Sequence, residues 1–185
     1  MTEGIGHNNG PAMDAGRTFR VHQWRRAKAN MAAARLNPAT VRRHIARAKE
    51  LGLSYRDYAA IHASAGRDVC GFLFSSNALD LAFGRHRMPE DKAGQVAAIR
   101  HAGRIALVHA PLPVETVEQT NPELDTAHRA PHVLSSYPKI REALTEVQGR
   151  LPASGLVVVG MGLEADWVAA GRLGAFVPAE TYFAR

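Results

Sequence analysis

The sequence predicts an α/β protein: a basic, helix-turn-helix-like segment over 17–67, followed by a small parallel-sheet three-layer unit over 68–185. Three observations predict it. Positive charge is concentrated in the first third of the chain. Four short apolar runs of strand length then alternate with stretches of helical periodicity. The composition, 46% apolar and 22% charged over 185 residues, is that of one ordinary globular domain.

The same numbers exclude a good deal. Apolar runs such as Leu156 to Val159 are far too short to cross a bilayer, which takes about 20 consecutive apolar residues. No membrane partner is expected. The opening Met1 to Gly10 has neither the cationic start nor the apolar run of a secretory signal, so a cytoplasmic location is expected. Cys70 is the single cysteine and forms no internal disulfide, which leaves packing to hold the fold.

Residues 1–16, rich in Gly and Asn and without periodicity, read as a flexible tail. Phe19, Val21, Trp24, Ala27 and Met31 leave a loose helical stripe over 18–35. Asn37 followed by Pro38 is a helix start, the amide capping and the proline sitting where its missing N–H costs nothing. Val41, Ile45 and Ala48 continue that helix to Gly52. Ser54 with Asp57 resembles a capping arrangement for a third helix, with Tyr58, Ile61 and Ala65 inward and Gly66 at its end.

Beyond Gly66 the texture changes. Val69 to Phe74 is a compact apolar run that reads as a strand feeding a helix over 78–83, with one continuous helix over 68–83 as the alternative. Pro89 opens a helix to about Ala102, and Arg104 to His109 is a second strand stopped by Pro111 and Pro113. The proline-rich stretch 110–137 reads as a long loop, with a helical turn over 125–130. Pro138 to Arg150 is helical through Ile140, Leu144 and Val147. Gly155 to Gly160 is the clearest strand, Glu164 to Gly171 is helical, and Ala175 to Val177 is a short fourth strand.

Charge gives the first functional expectation. Between Arg17 and Arg67 stand twelve Lys or Arg against Glu50 and Asp57, so this segment carries +10 and the remainder −4 of the net +6. A cationic segment beside an acidic remainder is the pattern of a surface that meets a polyanion. The residues nominated for phosphate contact are Arg20, Arg25, Arg26, Lys28, Arg42, Arg43, Arg47, Lys49 and Arg56. The third helix offers only Tyr55, Arg56 and His62 for reading bases, so a nucleic-acid partner would be bound with weak sequence preference.

The strand ends give the second. In an open parallel sheet, ligands lie beyond the carboxyl ends of the strands. Those ends carry Ser75, Ser76 and Asn77, then His109, then Gly160 and Gly162. Hydroxyl and amide groups bind anions there, and glycines let a ligand approach the backbone. Ala165 stands where a dinucleotide fingerprint needs its third glycine, and no phosphate loop of the GxxxxGK type is present, so no cofactor is implied. The nine histidines have no H-E-x-x-H or CxxC context, and no metal is implied either. Asp166 beside Glu164 reads as favourable charge at a helix start, and Trp24 and Trp167 as core or interface anchors.

The opening Ile5-Gly-His-Asn-Asn-Gly-Pro11, together with Leu51 to Ala59 and Gly66 to Asn77, resembles uncharacterised alphaproteobacterial proteins, often prophage-associated, that share an IGHNxGP leader. That resemblance implies DNA-associated or phage-derived biology and carries no catalytic residue over. Three readings therefore stand: an accessory nucleic-acid-binding protein gripping phosphates through the basic helices, a Rossmann-like small-ligand-binding protein or enzyme working at the strand ends, and a prophage-type assembly or adaptor component, with a protein partner or a second copy of itself. Neither a reaction nor a cofactor is specified by any of them.

Overall fold

The computed structural model describes residues 37–132 and 134–184. The tail over 1–16, the helix expected over 18–35, and with it Arg20, Arg25, Arg26 and Lys28, lie outside the described residues.

Helix α1 (Pro38–Glu50) begins as its sequence requires: the Asn37 side chain accepts the Ala39 N–H at 2.9 Å, with proline in the first turn. A turn through Gly52, at φ +65°, leads to α2 (Tyr55–Ala65). There the Ser54 hydroxyl accepts the Asp57 N–H at 3.0 Å and donates to the Asp57 carboxylate at 2.8 Å, closing the cap. Gly66 ends α2 in the left-handed conformation.

Five strands follow, β1 (Gly71–Ser75), β2 (Gly103–Val108), β3 (Thr126–Arg129), β4 (Leu156–Gly160) and β5 (Ala175–Pro178), and all pair in parallel in the order β3-β2-β1-β4-β5. The connecting helices are α3 (Glu90–Ala97), α4 (Val114–Thr120), α5 (Tyr137–Gln148), α6 (Asp166–Gly171) and α7 (Ala179–Phe183). Every residue of β1 and β4 is buried, as a sheet covered on both faces demands. Phe72, Phe74, Val108, Val157 and Val159 pack on one face against Leu51, Tyr58, Ile61, Val96, Val117 and Tyr182. Leu73, Ile105, Leu107 and Val158 pack on the other against Ile140, Leu144, Trp167 and Ala170. The result is three layers, with α1, α2, α3, α4 and α7 on the first face and α5 and α6 on the second. No helix among the described residues is long and apolar enough to cross a membrane.

The basic helices α1 and α2 share the first core with the sheet, so the change of texture at Gly66 is a change of composition inside one packed body. Tyr182 fastens it, its hydroxyl donating to the Leu51 carbonyl at 3.0 Å.

Several expectations are corrected. After β1 the chain makes neither a helix over 78–83 nor one continuous helix: the Ala78 N–H bonds the Ser75 hydroxyl at 3.1 Å, Leu81 N–H returns to the Ser76 carbonyl at 2.9 Å, and Asp80 sits at φ +54°. The stretch 110–137 holds α4 and β3, and the helical turn expected over 125–130 is that strand. Helix α4 is too short to show a period, with only Val117 buried, and edge strand β3 buries only Ala127 among polar neighbours. Helix α3 stops at Ala97, short of Ala102, where the chain turns to hydrogen-bond α1 through Arg100 N–H and the Glu50 carbonyl. The terminal α7 was not expected at all.

Arg47 ties these parts together. Its Nε donates to Asp68 at 2.9 Å, Nη1 to Glu50 at 2.9 Å and to the Arg100 carbonyl at 3.0 Å, and Nη2 to the carbonyls of Val69 at 2.9 Å and His101 at 3.0 Å. All five guanidinium N–H groups are therefore occupied within the protein. Arg47→Gln should lower the unfolding free energy in urea by about 1–2 kcal/mol, because it removes five hydrogen bonds at once while their largely solvated partners regain water. An unchanged midpoint would show the network to be dispensable.

Candidate functional site

The strand order reverses between β1 and β4: the chain runs outward from β1 to β2 and β3, then crosses back to place β4 on the other side. The region beyond the carboxyl ends of such strands is where parallel sheets hold ligands. Segments from three strand ends, those of β1, β2 and β4, meet there.

Ser75 and Ser76 end β1, and both are fully buried. The Ser75 hydroxyl accepts the Ala78 N–H, while the Ser76 hydroxyl accepts the His109 N–H at 3.1 Å and so pins the end of β2 to the end of β1. Neither serine offers its side chain to a ligand, which corrects the expectation that both would. Asn77, next along, is exposed and donates from Nδ2 to Glu164 Oε1 at 3.0 Å.

Glu164 is the residue that the sequence reading missed as a site residue. It lies in the 3-10 turn Leu163–Ala165 after β4, with no exposed surface. Its Oε1 also meets His109 Nε2 at 3.1 Å, and its Oε2 accepts the Met161 N–H at 2.8 Å. Burial is the largest influence on its carboxyl and pushes the pKa up. The hydrogen bonds from His109, Asn77 and the Met161 and Glu164 backbone together outweigh it and hold the pKa at about 2. The group is an ionised acceptor, so the shared proton sits on His109 Nε2, and Nδ1 of a neutral ring is left with its lone pair. The imidazole lies at 32° to the buried Trp167 indole, with centroids 5.6 Å apart, and its side chain is 16% exposed.

The two glycines serve this carboxylate. A Cβ on Gly160 would come within 3.0 Å of Glu164 Oε2 and 3.1 Å of the Phe176 ring, so the space that its missing side chain leaves is filled from inside and not held open for a ligand. Gly162, at φ +60°, makes the turn that brings Glu164 back under the strand. Of the six strand-end candidates, then, His109 lines a cleft and Asn77 is exposed beside Glu164, while Ser75, Ser76, Gly160 and Gly162 shape the strand ends from within.

A cleft of about 620 Å³ extends from His109 along the ends of β2 and β3 to α5. His128, Arg129 and His132 line it from the β3 side, and Lys139 and Glu146 from α5. Among the described residues no group of three or more His, Cys, Asp and Glu is arranged to hold a metal ion. Cys70 stands apart, its thiol pushed up by burial and 3.9 Å from the Pro152 carbonyl.

The basic candidates fall elsewhere. Arg42, Arg43, Lys49 and Arg56 are exposed on α1 and α2, which cover the sheet face opposite Trp167. Arg47 is withdrawn from any phosphate contact by its five internal bonds. Comparison of the chain with protein-family models, with curated proteins and with solved structures finds no match.

The depressed Glu164 pKa has a thermodynamic consequence. Its stabilisation is complete above the ordinary carboxyl value of 4.5 and is lost as pH falls from there through about 2. The loss amounts to about 3 kcal/mol across that window. Acid unfolding of the wild type followed by circular dichroism should be steeper between those values than that of Glu164→Gln. Parallel curves would remove the buried carboxylate from the acid limb. Gly160→Ala should also displace Glu164, and long-range ¹H–¹⁵N spectra of the His109 ring should then lose the single Nε2–H tautomer.

Proposed function

We propose that the chain is a small-molecule enzyme in which His109 transfers a proton at the carboxyl edge of the sheet, oriented by Glu164. One observation carries the reading: residues from the ends of β1, β2 and β4 converge on a single buried carboxylate, with Asn77 at 3.0 Å, His109 at 3.1 Å and the Met161 N–H at 2.8 Å. A carboxylate that fixes one ring nitrogen as a donor leaves the other to take or give a proton, which is how an imidazole is prepared for general acid–base work. Asn77 positions the same carboxylate. The neighbouring cleft is large enough for a small ligand and begins at His109.

Saturation-transfer NMR of the full chain with a panel of small polar metabolites tests this. At least one compound should bind the wild type. His109→Ala and Glu164→Gln, folded by circular dichroism, should turn over the same compound at least about a hundredfold more slowly. A panel in which turnover is absent, or indifferent to both substitutions, sinks the reading.

A second reading, weakly sequence-specific nucleic-acid binding, is supported by the exposure of Arg42, Arg43, Lys49 and Arg56 on the opposite face. Changing Arg42, Arg43 and Arg56 together to Gln should weaken duplex binding uniformly across sequences and lower its salt slope by about 0.9 for each phosphate contact removed. Fluorescence anisotropy that is independent of salt would exclude it.

A further inference from the structure

The cleft beside His109 differs in chemistry from the dyad itself. Its floor is made by the ends of two adjacent strands: Leu107 and His128 are register partners, and His109 follows two residues after Leu107 on the same face. Its wall is α5, whose cleft-lining positions 139, 143, 146 and 147 recur at helical spacing beside the buried Ile140 and Leu144. Among the polar side chains of the lining, His109, His128, Arg129, His132 and Lys139 are cationic or bear N–H groups, with Glu146 as the counter-charge; Ala110, Ala130, Pro131, Ala143 and Val147 make up its apolar part.

The form of the donors narrows the ligand. His132 Nδ1 accepts the Leu134 N–H at 3.2 Å, so the neutral ring carries its hydrogen on Nε2 as a donor. Lys139 brings three donors on a compact ammonium. Arg129, the residue that best grips a planar carboxylate by its fork, has Nη1 engaged with the carbonyls of Leu112 at 2.8 Å and Val108 at 3.2 Å. Separate point-like donors around a cavity suit a tetrahedral oxyanion better than a flat one.

We propose that this cleft is a phosphate subsite, in which Lys139 and the rings of His128 and His132 hold the phosphoryl group of a phosphate monoester whose remainder reaches His109. The proposal rests on the acid–base reading for what happens next, but the binding step stands by itself. The dyad supplies the proton transfer; the cleft selects the substrate class.

Phosphorus-31 NMR of the full chain at about 0.15 M salt, where exposed charges are screened beyond about 8 Å, makes the test. Inorganic phosphate and glycerol 3-phosphate should broaden on binding, and acetate should compete at least about tenfold less well. Lys139→Ala, at an exposed helix position that the fold does not need, should weaken phosphate binding about tenfold or more, and His132→Gln several-fold. His109→Ala should leave inorganic phosphate bound. No broadening with the wild type, an unaffected Lys139→Ala, or equal competition by acetate overturns the subsite. Phosphate binding that is lost in Lys139→Ala while turnover ignores His109 and Glu164 would keep the subsite and discard the dyad. Turnover confined to unphosphorylated compounds would do the reverse.

Discussion

Burying a carboxylate without a partner is among the most costly things a fold can do, and it is tolerated only where hydrogen bonds replace the lost water. Glu164 has no exposed surface, and its two oxygens accept from three groups that belong to three different segments. The charge therefore acts as a fixing point: Asn77 after β1, His109 after β2 and Met161 after β4 are each held by the same group. Ser76 adds a second tie between the first two, through the His109 N–H. The local geometry of these strand ends follows from satisfying one anion. An ordinary strand end, with hydroxyls and glycines facing solvent, would leave these loops free to choose their own conformations.

The glycine pair explains why the sequence around this anion looks uninformative. Gly160-Met-Gly162 resembles a ligand-approach motif that has lost its third glycine, but its glycines make room for a side chain four residues further on and for a left-handed turn. Glu164 does stand in the first turn of a short 3-10 helix that leads into α6, and its second role, as the buried acceptor at the strand ends, was hidden for the same reason. Nothing in a linear sequence says that β4 lies beside β1 and not beside β3. Once the strand order is known, a carboxylate just past β4 stands at the reversal of that order, where a buried acid has neighbours to orient.

The elements that were legible are those whose signals are local. Asn37-Pro38 and the Ser54–Asp57 pair place the starts of α1 and α2 because a cap is decided within three or four residues. Strands β1, β2 and β4 are legible because a strand covered on both faces carries an unbroken apolar run, Phe72 to Phe74, Ile105 to Val108 and Leu156 to Val159 here. Illegible were β3, an edge strand that buries one alanine, and α4, a seven-residue helix that buries one valine. Short elements at the rim of a sheet are specified by what they pack against. At the site, His109 and Asn77 were visible as polar groups after apolar runs, whereas the structural duty of Ser75 and Ser76 was not, since a capping hydroxyl and a ligand-binding one are the same residue until its partner is known.

Charge segregation in the sequence, finally, is not the same as charge segregation on the surface. Arg47 belongs to the +10 segment by position, yet its donors close on Asp68, Glu50 and three carbonyls, so part of the basic excess is structural. What remains exposed on α1 and α2 lies across the sheet from the imidazole and the cleft. Between them stands a sheet whose central strands are wholly buried, with Phe72 and Phe74 turned to one side and Leu73 to the other. Close packing of that kind transmits displacement but screens neither face's chemistry from solvent on its own side. The two surfaces thus lie on opposite sides of the sheet, and β1, whose carboxyl end also helps to set the position of His109 through Ser76, contributes side chains to both cores.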